Sequence, residues 1–332
     1  MNLSSARELK ASLIKQLLPN LPVTVRSAAL PGGAARSRSR PAPARPKLAI
    51  GLAPKGRGEF NLAVRVQERA MQHSRELELI TSEARGEVDV RYIGRVHKLD
   101  AAWFRGRRRP LQIGVSVGHV NISAGTLGAF VKPRVGGKTG ILSNNHVLAN
   151  ENRGKVGDDI IQPGDYDTGS APADRVAALA GFVRLQRNAP NGVDAAWASL
   201  RKGVEGKFDA LRGLGKLKGV GDGVIDEGME VAKLGRTTGL TRGKVTAFEV
   251  DDVAVEFDVG VLTFNGQIEI EGAEDDAFSA GGDSGSLIVG NDRRAVALLF
   301  AGGDQGGSNG QGLTYANPIH DVLDQLDLQL VL

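Results

Sequence analysis

Gly281-Gly282-Asp283-Ser284-Gly285-Ser286-Leu287-Ile288-Val289 sets a serine between glycines, directly after an aspartate, and runs on into an apolar strand. A serine hydroxyl is a weak nucleophile unless a base takes its proton and fixed donors receive the negative charge that develops. Glycines on either side of it allow tight, positive-φ backbone whose N–H groups can serve as those donors. Ser284 is therefore a candidate nucleophile, and the rest of the chain must supply a base and a group to orient it.

Two segments qualify. Leu142-Ser143-Asn144-Asn145-His146-Val147-Leu148 places a histidine just after the short apolar run Gly140 to Leu142. Asn191-Gly192-Val193-Asp194-Ala195-Ala196-Trp197-Ala198 places an aspartate at the mouth of a small-residue apolar strand. His146, Asp194 and Ser284 follow one of the three chain orders in which the hydrolytic triad recurs on unrelated folds. The gaps are 48 and 90 residues. Each residue alone has a plainer role, as a turn serine, a strand-end histidine or a capping aspartate. Their joint occurrence, in order and in these local settings, is what points to a triad.

From about Gly114 onward the chain resembles a trypsin-like (chymotrypsin-fold) serine peptidase of bacterial type. Within that superfamily it is similar to bacterial peptidases akin to the plant NARROW LEAF 1 proteins. The resemblance is carried by Gly114-Val115-Ser116-Val117-Gly118-His119, Ala124-Gly125-Thr126-Leu127-Gly128, Ser143 to Asn150, Ile161-Gln162-Pro163-Gly164, Val231 to Gly239 and the Gly281–Ser286 loop. It implies a mainly β fold, with a peptidase domain over residues 110–332. That domain comprises one barrel at about 114–200, a second at about 224–316 and a closing helix at 318–329. It also implies a catalytic His146, Asp194 and Ser284, an oxyanion hole from the N–H groups of Gly282 and Ser284, and a protein or peptide substrate. By the same resemblance, Phe278 stands at the base of the specificity pocket, where it would favour a neutral side chain. Asp275 and Asp276 lie near it, and Phe300, Ala301 and Gly302 form the substrate-pairing strand.

Composition fits such a fold. Forty-five glycines and 5% aromatic residues in 332 residues suit many tight turns between short strands. No stretch approaches the roughly 20 apolar residues that a membrane-spanning helix requires. The chain contains no cysteine and no paired-histidine spacing, so neither a metal nor another cofactor is expected. The first 18 residues have no apolar signal core, and with the missing cysteines this leads to a cytoplasmic expectation.

Charge is uneven. Residues 1–47 carry nine basic side chains and one acidic one, so residues 48–332 are net negative although the whole chain is +4. Leu3, Ala6, Leu9, Leu13 and Leu17 recur at helical spacing and predict a short amphipathic helix over 3–18. Residues 19–47, rich in Pro, Ala, Ser and Arg, read as a flexible linker, so 1–47 is expected to be a solvated, detachable arm. No aromatic residues interleave with its arginines, which argues against nucleic acid as a partner. Residues 48–100 read as a small ββαβ unit with strands at 48–52, 60–66 and 88–93 and a helix over 68–83. It is too small to be stable alone and is expected to pack on the peptidase body or to form a homo-oligomer. Arg105 to Arg109 reads as a solvent-facing connector.

Two functional readings stay open from the residues. One is an active endopeptidase with few targets. The other is a peptide-binding or scaffold protein on the same fold, with its triad present and its pocket occluded.

Overall fold

The computed structural model describes residues 1–17, 48–56, 58–93, 96–97, 104–226, 228–273, 276–303 and 305–332, with backbone only for 96–97. The expected linker at 19–47 and Asp275 lie outside the described residues. The chain opens with α1 (Leu3–Leu17), β1 (Leu48–Gly56), β2 (Glu59–Val66), α2 (Arg75–Glu83), β3 (Val88–Tyr92) and the two-residue β4 (Val96–His97).

The first barrel follows a lead-in strand, β5 (Leu111–Gln112). It contains β6 (Ser116–His119), β7 (Gly125–Thr126), β8 (Ala129–Pro133), β9 (Gly140–Ser143), α3 (Asn145–Leu148), β10 (Asp159–Ile161), β11 (Arg175–Phe182) and β12 (Ala196–Leu200). Three short strands, β13 (Gly206–Lys207), β14 (Ala210–Leu211) and β15 (Gly215–Lys216), make the crossing to the second barrel. That barrel is built from β16 (Glu230–Gly235), β17 (Gly239–Asp251), β20 (Gln267–Gly272), β21 (Leu287–Gly290), β22 (Ala295–Gly303) and β23 (Leu313–Pro318). A hairpin, β18 (Val253–Phe257) and β19 (Gly260–Phe264), grows out between β17 and β20. The chain ends in α4 (Ile319–Gln325) and β24 (Leu328–Leu330).

The second barrel closes on itself in the order β16-β21-β22-β23-β20-β17, with β17 returning to pair with β16. The first curls without closing, in the order β24-β8-β9-β12-β11-β10-β6-β7. Strands buried on both faces, such as β9 and β21, read as continuous apolar runs because one face meets its own barrel and the other meets the opposite barrel or the helices. The architecture is the chymotrypsin-like double β-barrel. One apolar cluster joins the first barrel to Leu287, Val289 and Leu298 of the second and to Ile319, Val322 and Leu323 of α4.

The N-terminal segment differs from its sequence reading in a way that matters. β1 pairs antiparallel with the far half of β17, Leu52 opposite Phe248 and Ile50 opposite Asp251. The small unit therefore extends the sheet of the second barrel through β1, β2 and β3. β17 reaches both partners because two bulges bend it, with Glu249 at φ 50°. Nor is α1 a detached arm. Ala6, Leu13 and Leu17 are buried in the core of the second barrel, and Lys10 pairs with Asp251 at 3.0 Å. The predicted helix over 68–83 begins late: Ser74 caps it by accepting from the Leu77 N–H at 3.2 Å. The predicted closing helix stops early at Gln325, since Asp327 adopts φ 52° and the chain turns into β24 against β8. The arginine connector is tied to the first barrel, with Arg107 on Asp174 at 2.8 Å.

Arg65 shows how firmly the N-terminal strands belong. Its guanidinium is fully buried and bonds Glu269 of β20, itself buried, and Asp89 at 2.9 Å. Tyr315 and Thr246 donate to the same Glu269 carboxylate at 3.0 and 2.7 Å. Burial alone would lower the Arg65 pKa, but the charge and hydrogen bond of Glu269, with Asp89 behind it, carry it above its ordinary value. Removing one partner of such a pair strands the other without solvent. Arg65→Met is expected to destabilise the protein by about 3–5 kcal/mol in chemical denaturation, and Arg65→Met/Glu269→Leu to recover most of that loss.

Candidate active site

His146 sits in α3, a single turn that interrupts the chain just after β9 and is entirely buried. Asp194 precedes β12, which pairs with β9 through Ala196 and Ser143. Strand pairing thus brings the histidine and aspartate segments side by side across 48 residues of sequence. The imidazole Nδ1 lies 2.5 Å from Asp194 Oδ2, and the backbone N–H of His146 donates to Asp194 Oδ1 at 3.3 Å. Further bonds to Asp194 fix the carboxylate's backbone. Asn144 Nδ2 donates to its carbonyl at 2.7 Å, and its own N–H donates to Asn317 Oδ1 at 3.0 Å. Asn317 in turn donates to Gln267 at 2.6 Å, and Gln267 donates to the Gly192 carbonyl at 2.8 Å. A carboxyl group this deep is tolerable because both its oxygens are engaged by His146.

Ser284 comes from the other barrel, in the loop before β21. Its carbonyl accepts from the Thr126 N–H at 2.8 Å, and Thr126 Oγ1 donates to the Gly282 carbonyl at 2.7 Å. A Cβ added at Gly125 would meet both Val147, next to His146, and the Ser284 carbonyl. The His146 and Ser284 segments thus meet across Gly125. No hydrogen bond joins the serine hydroxyl to the imidazole among the described residues. Ser284 Oγ donates instead to the Phe300 carbonyl at 3.5 Å, and His146 Nε2 is buried without a partner.

The loop around Ser284 is fixed by buried charge. Asp283 accepts from the N–H groups of Thr237 and Ala280 at 2.7 and 3.0 Å and from Thr238 Oγ1 at 2.8 Å, and pairs with Lys233 at 2.9 Å. Burial pushes the Lys233 ammonium pKa down, while Asp283 acts against that shift. Glycine is required twice. Gly282 has φ +82° with Arg236 Nη1 where a Cβ would stand, and Gly285 has φ +92° with Ser143 Oγ and the Thr126 carbonyl against it. Arg236 is held there by Asp167, with contacts of 2.5 and 2.6 Å. Among the described residues, neither the Gly282 nor the Ser284 N–H donates to another protein group.

Residues expected in the specificity pocket separate. Phe278 is buried in the core of the second barrel with Val231, Val245 and Ile270, its ring 5.9 Å from Lys233 Nζ. Phe300 and Ala301 belong to a different cluster, where Phe300 lies tilted against Phe264 with ring centroids 4.6 Å apart. Asp276 is exposed. The Gly302 edge is already occupied: β4 pairs antiparallel with β22, His97 opposite Gly302 and Val96 opposite Gly303. Of the remaining histidines, His119 pairs with Asp158 at 3.0 Å and His320 Nε2 lies 2.8 Å from the Gly221 carbonyl. The described residues contain no cluster suited to a metal, and no helix among them is long and apolar enough to cross a membrane.

Several contributors carry no local sequence signal. Asn144, Gln267 and Asn317 serve Asp194 from three separate segments. Lys233, two residues along β16 from Val231, is the exception: a lone cation in an apolar strand is itself a sign of a buried acidic partner.

No protein-family model matches the chain, and no curated protein matches its sequence. Solved structures that align with it include bacterial proteases. Thermobifida fusca protease A aligns at 20% identity over 68% of this chain and 99% of its own, with a TM-score of 0.46. Cellulomonas bogoriensis chymotrypsin aligns at 18% identity over 68% and 99%, with a TM-score of 0.44. Nocardiopsis protease aligns at 17% identity over 68% and 100%, with a TM-score of 0.45.

The Lys233–Asp283 pair makes a direct claim about the site. Lys233→Met leaves Asp283 buried without its cation and is expected to cost about 3–5 kcal/mol in denaturant unfolding. Lys216→Met, which breaks an exposed pair with Asp209, is expected to leave the unfolding midpoint close to that of the wild type.

Proposed function

We propose that the chain is a serine-type endopeptidase, akin within its class to the NARROW LEAF 1 group, which cleaves peptide bonds through an acyl-enzyme. The observation that carries this reading is the His146 imidazole, bonded at Nδ1 to a buried carboxylate and left with Nε2 unpartnered beside the Ser284 loop. A carboxylate on Nδ1 keeps the proton there and leaves Nε2 with its lone pair, the tautomer a general base requires.

In the proposed reaction the Ser284 hydroxyl turns from the Phe300 carbonyl to His146 Nε2 and attacks the carbonyl carbon of the scissile bond. Its proton passes to Nε2. The oxyanion of the tetrahedral intermediate is received by the unengaged N–H groups of Gly282 and Ser284, each such donor contributing about 2.7–4 kcal/mol. Collapse breaks the C–N bond, and Nε2 gives its proton to the departing amine. Water, deprotonated by the same nitrogen, then hydrolyses the Ser284 ester. Asp194 stays ionised and stabilises the imidazolium. No cofactor takes part in any of these steps.

A second reading has an observation in its favour. His146 and Ser284 are only 1% and 2% exposed, as an occluded binding or scaffold protein would have them. A fluorophosphonate probe separates the two. Covalent labelling of the wild-type chain at Ser284, absent in Ser284→Ala, is the expected result, with peptide turnover falling on the order of 10⁶-fold in that variant. Peptide cleavage that survives Ser284→Ala unchanged would contradict the endopeptidase reading.

A further inference from the structure

His146 and Ser284 are both buried, and an aromatic side chain from a hairpin of the second barrel stands against the imidazole. The β18–β19 hairpin crosses from that barrel to the first and is tied there at both ends. At its tip, the N–H groups of Asp258 and Val259 donate to the two oxygens of Glu151 at 3.2 and 3.0 Å. At its root, the N–H and Nδ2 of Asn191 donate to the Thr263 carbonyl at 2.8 and 3.1 Å. Glu151 follows His146 by five residues and Asn191 precedes Asp194 by three, so the hairpin grips the two loops that hold the base and its carboxylate.

Between these ties Phe257 stands edge-on to the imidazole, with ring centroids 5.7 Å apart and planes at 72°. Phe257 continues through Phe264, at 5.9 Å, to Phe300. Glu151 itself is 1% exposed. Its carboxylate faces the hairpin from a run of three left-handed residues, Asn150, Glu151 and Asn152, at φ 48°, 51° and 70°. Consecutive non-glycine residues in that region are costly and persist only where neighbours fix them. Here Asn152 does so, exchanging bonds with Asn145 and Leu185. A strained loop that aims one buried carboxylate at two N–H groups of the opposite barrel is built as a latch.

We propose that the β18–β19 hairpin is a cover over the reaction centre, held shut by Glu151, and that its release admits an extended polypeptide to His146 and Ser284. The closure concerns access to His146 Nε2; the substrate rests on the endopeptidase reading above. A release at the tip frees Phe257 from the imidazole while the root at Asn191 serves as the hinge.

Diethyl pyrocarbonate, which acylates accessible neutral imidazoles, reads the closure without any turnover. Applied to the full chain with mass-spectrometric mapping, it is expected to modify His146 far more slowly than the exposed His73 in the wild type, where the cover opens only transiently. In Glu151→Ala, which removes both charge-assisted bonds of the latch, His146 modification relative to His73 should rise about tenfold or more, the factor that even one such bond carries, and it should rise as well in Phe257→Ala, where the latch is kept and the cover thinned. Wild-type His146 reacting as fast as His73, or no rise in either variant, would overturn the proposal. Fluorophosphonate labelling of the same proteins keeps the two claims apart. An imidazole that opens in the variants beside a Ser284 that never labels refutes the hydrolysis and leaves the cover standing.

Discussion

The Asp194 carboxylate is the constraint on which the site depends. It is wholly buried, and the effective desolvation cost of such an ion is several kcal/mol before compensation. Its two oxygens are engaged by His146 of the first barrel, and side chains from both barrels hold the Asp194 backbone. The imidazole and backbone of His146 and the amide of Asn144 come from the first, and Asn317 reaches the Asp194 N–H from β23 of the second. The Asp194 segment that faces His146 is thus also tied to the second barrel, through its backbone N–H and Asn317. The relation between stability and chemistry is therefore direct: loosening the barrels frees Asp194 to hydrate and removes its hold on Nδ1.

Buried charge is used the same way elsewhere. Arg65 joins β2 to Glu269 of the second barrel, Lys233 joins β16 to Asp283, and Arg236 joins Gly282's neighbourhood to Asp167 of the first barrel. Each pair links segments far apart in sequence and is closed to water at both ends. Such pairs contribute little net stability but penalise any arrangement that separates them. They fix the geometry of the Ser284 loop and bind the N-terminal strands into the body. With α1 and β1 packed into the same core as Val245 and Ile288, the N-terminal strands support the second barrel rather than trail from it.

What could be read from sequence was what is locally encoded. The glycines around Ser284, the apolar run before His146 and the small-residue strand after Asp194 each carry their meaning within a few residues. Strand periodicity located β1, β2 and β3 in the same way. What escaped was decided at long range. Nothing near Glu151 signals that its carboxylate meets Asp258, and nothing near Phe257 signals an imidazole, because both contacts depend on how the barrels close. The detached-arm reading of α1 failed for the same reason. Its apolar stripe was visible, while its partner surface, formed by β1, β2 and β17, exists only after the sheet is assembled. Phe278 was placed by resemblance, and its ring packs instead in the barrel core, beside Lys233.

The proposed reaction turns on a tautomer of His146 in which Nδ1 donates to Asp194 and Nε2 carries the lone pair. Nitrogen-15 NMR of protein labelled at histidine reads this directly, with His146→Gln assigning the signals. The account predicts a protonated Nδ1 and a bare Nε2 for His146, with that preference lost in Asp194→Asn. A His146 protonated at Nε2 with Nδ1 bare, unchanged by Asp194→Asn, would contradict it.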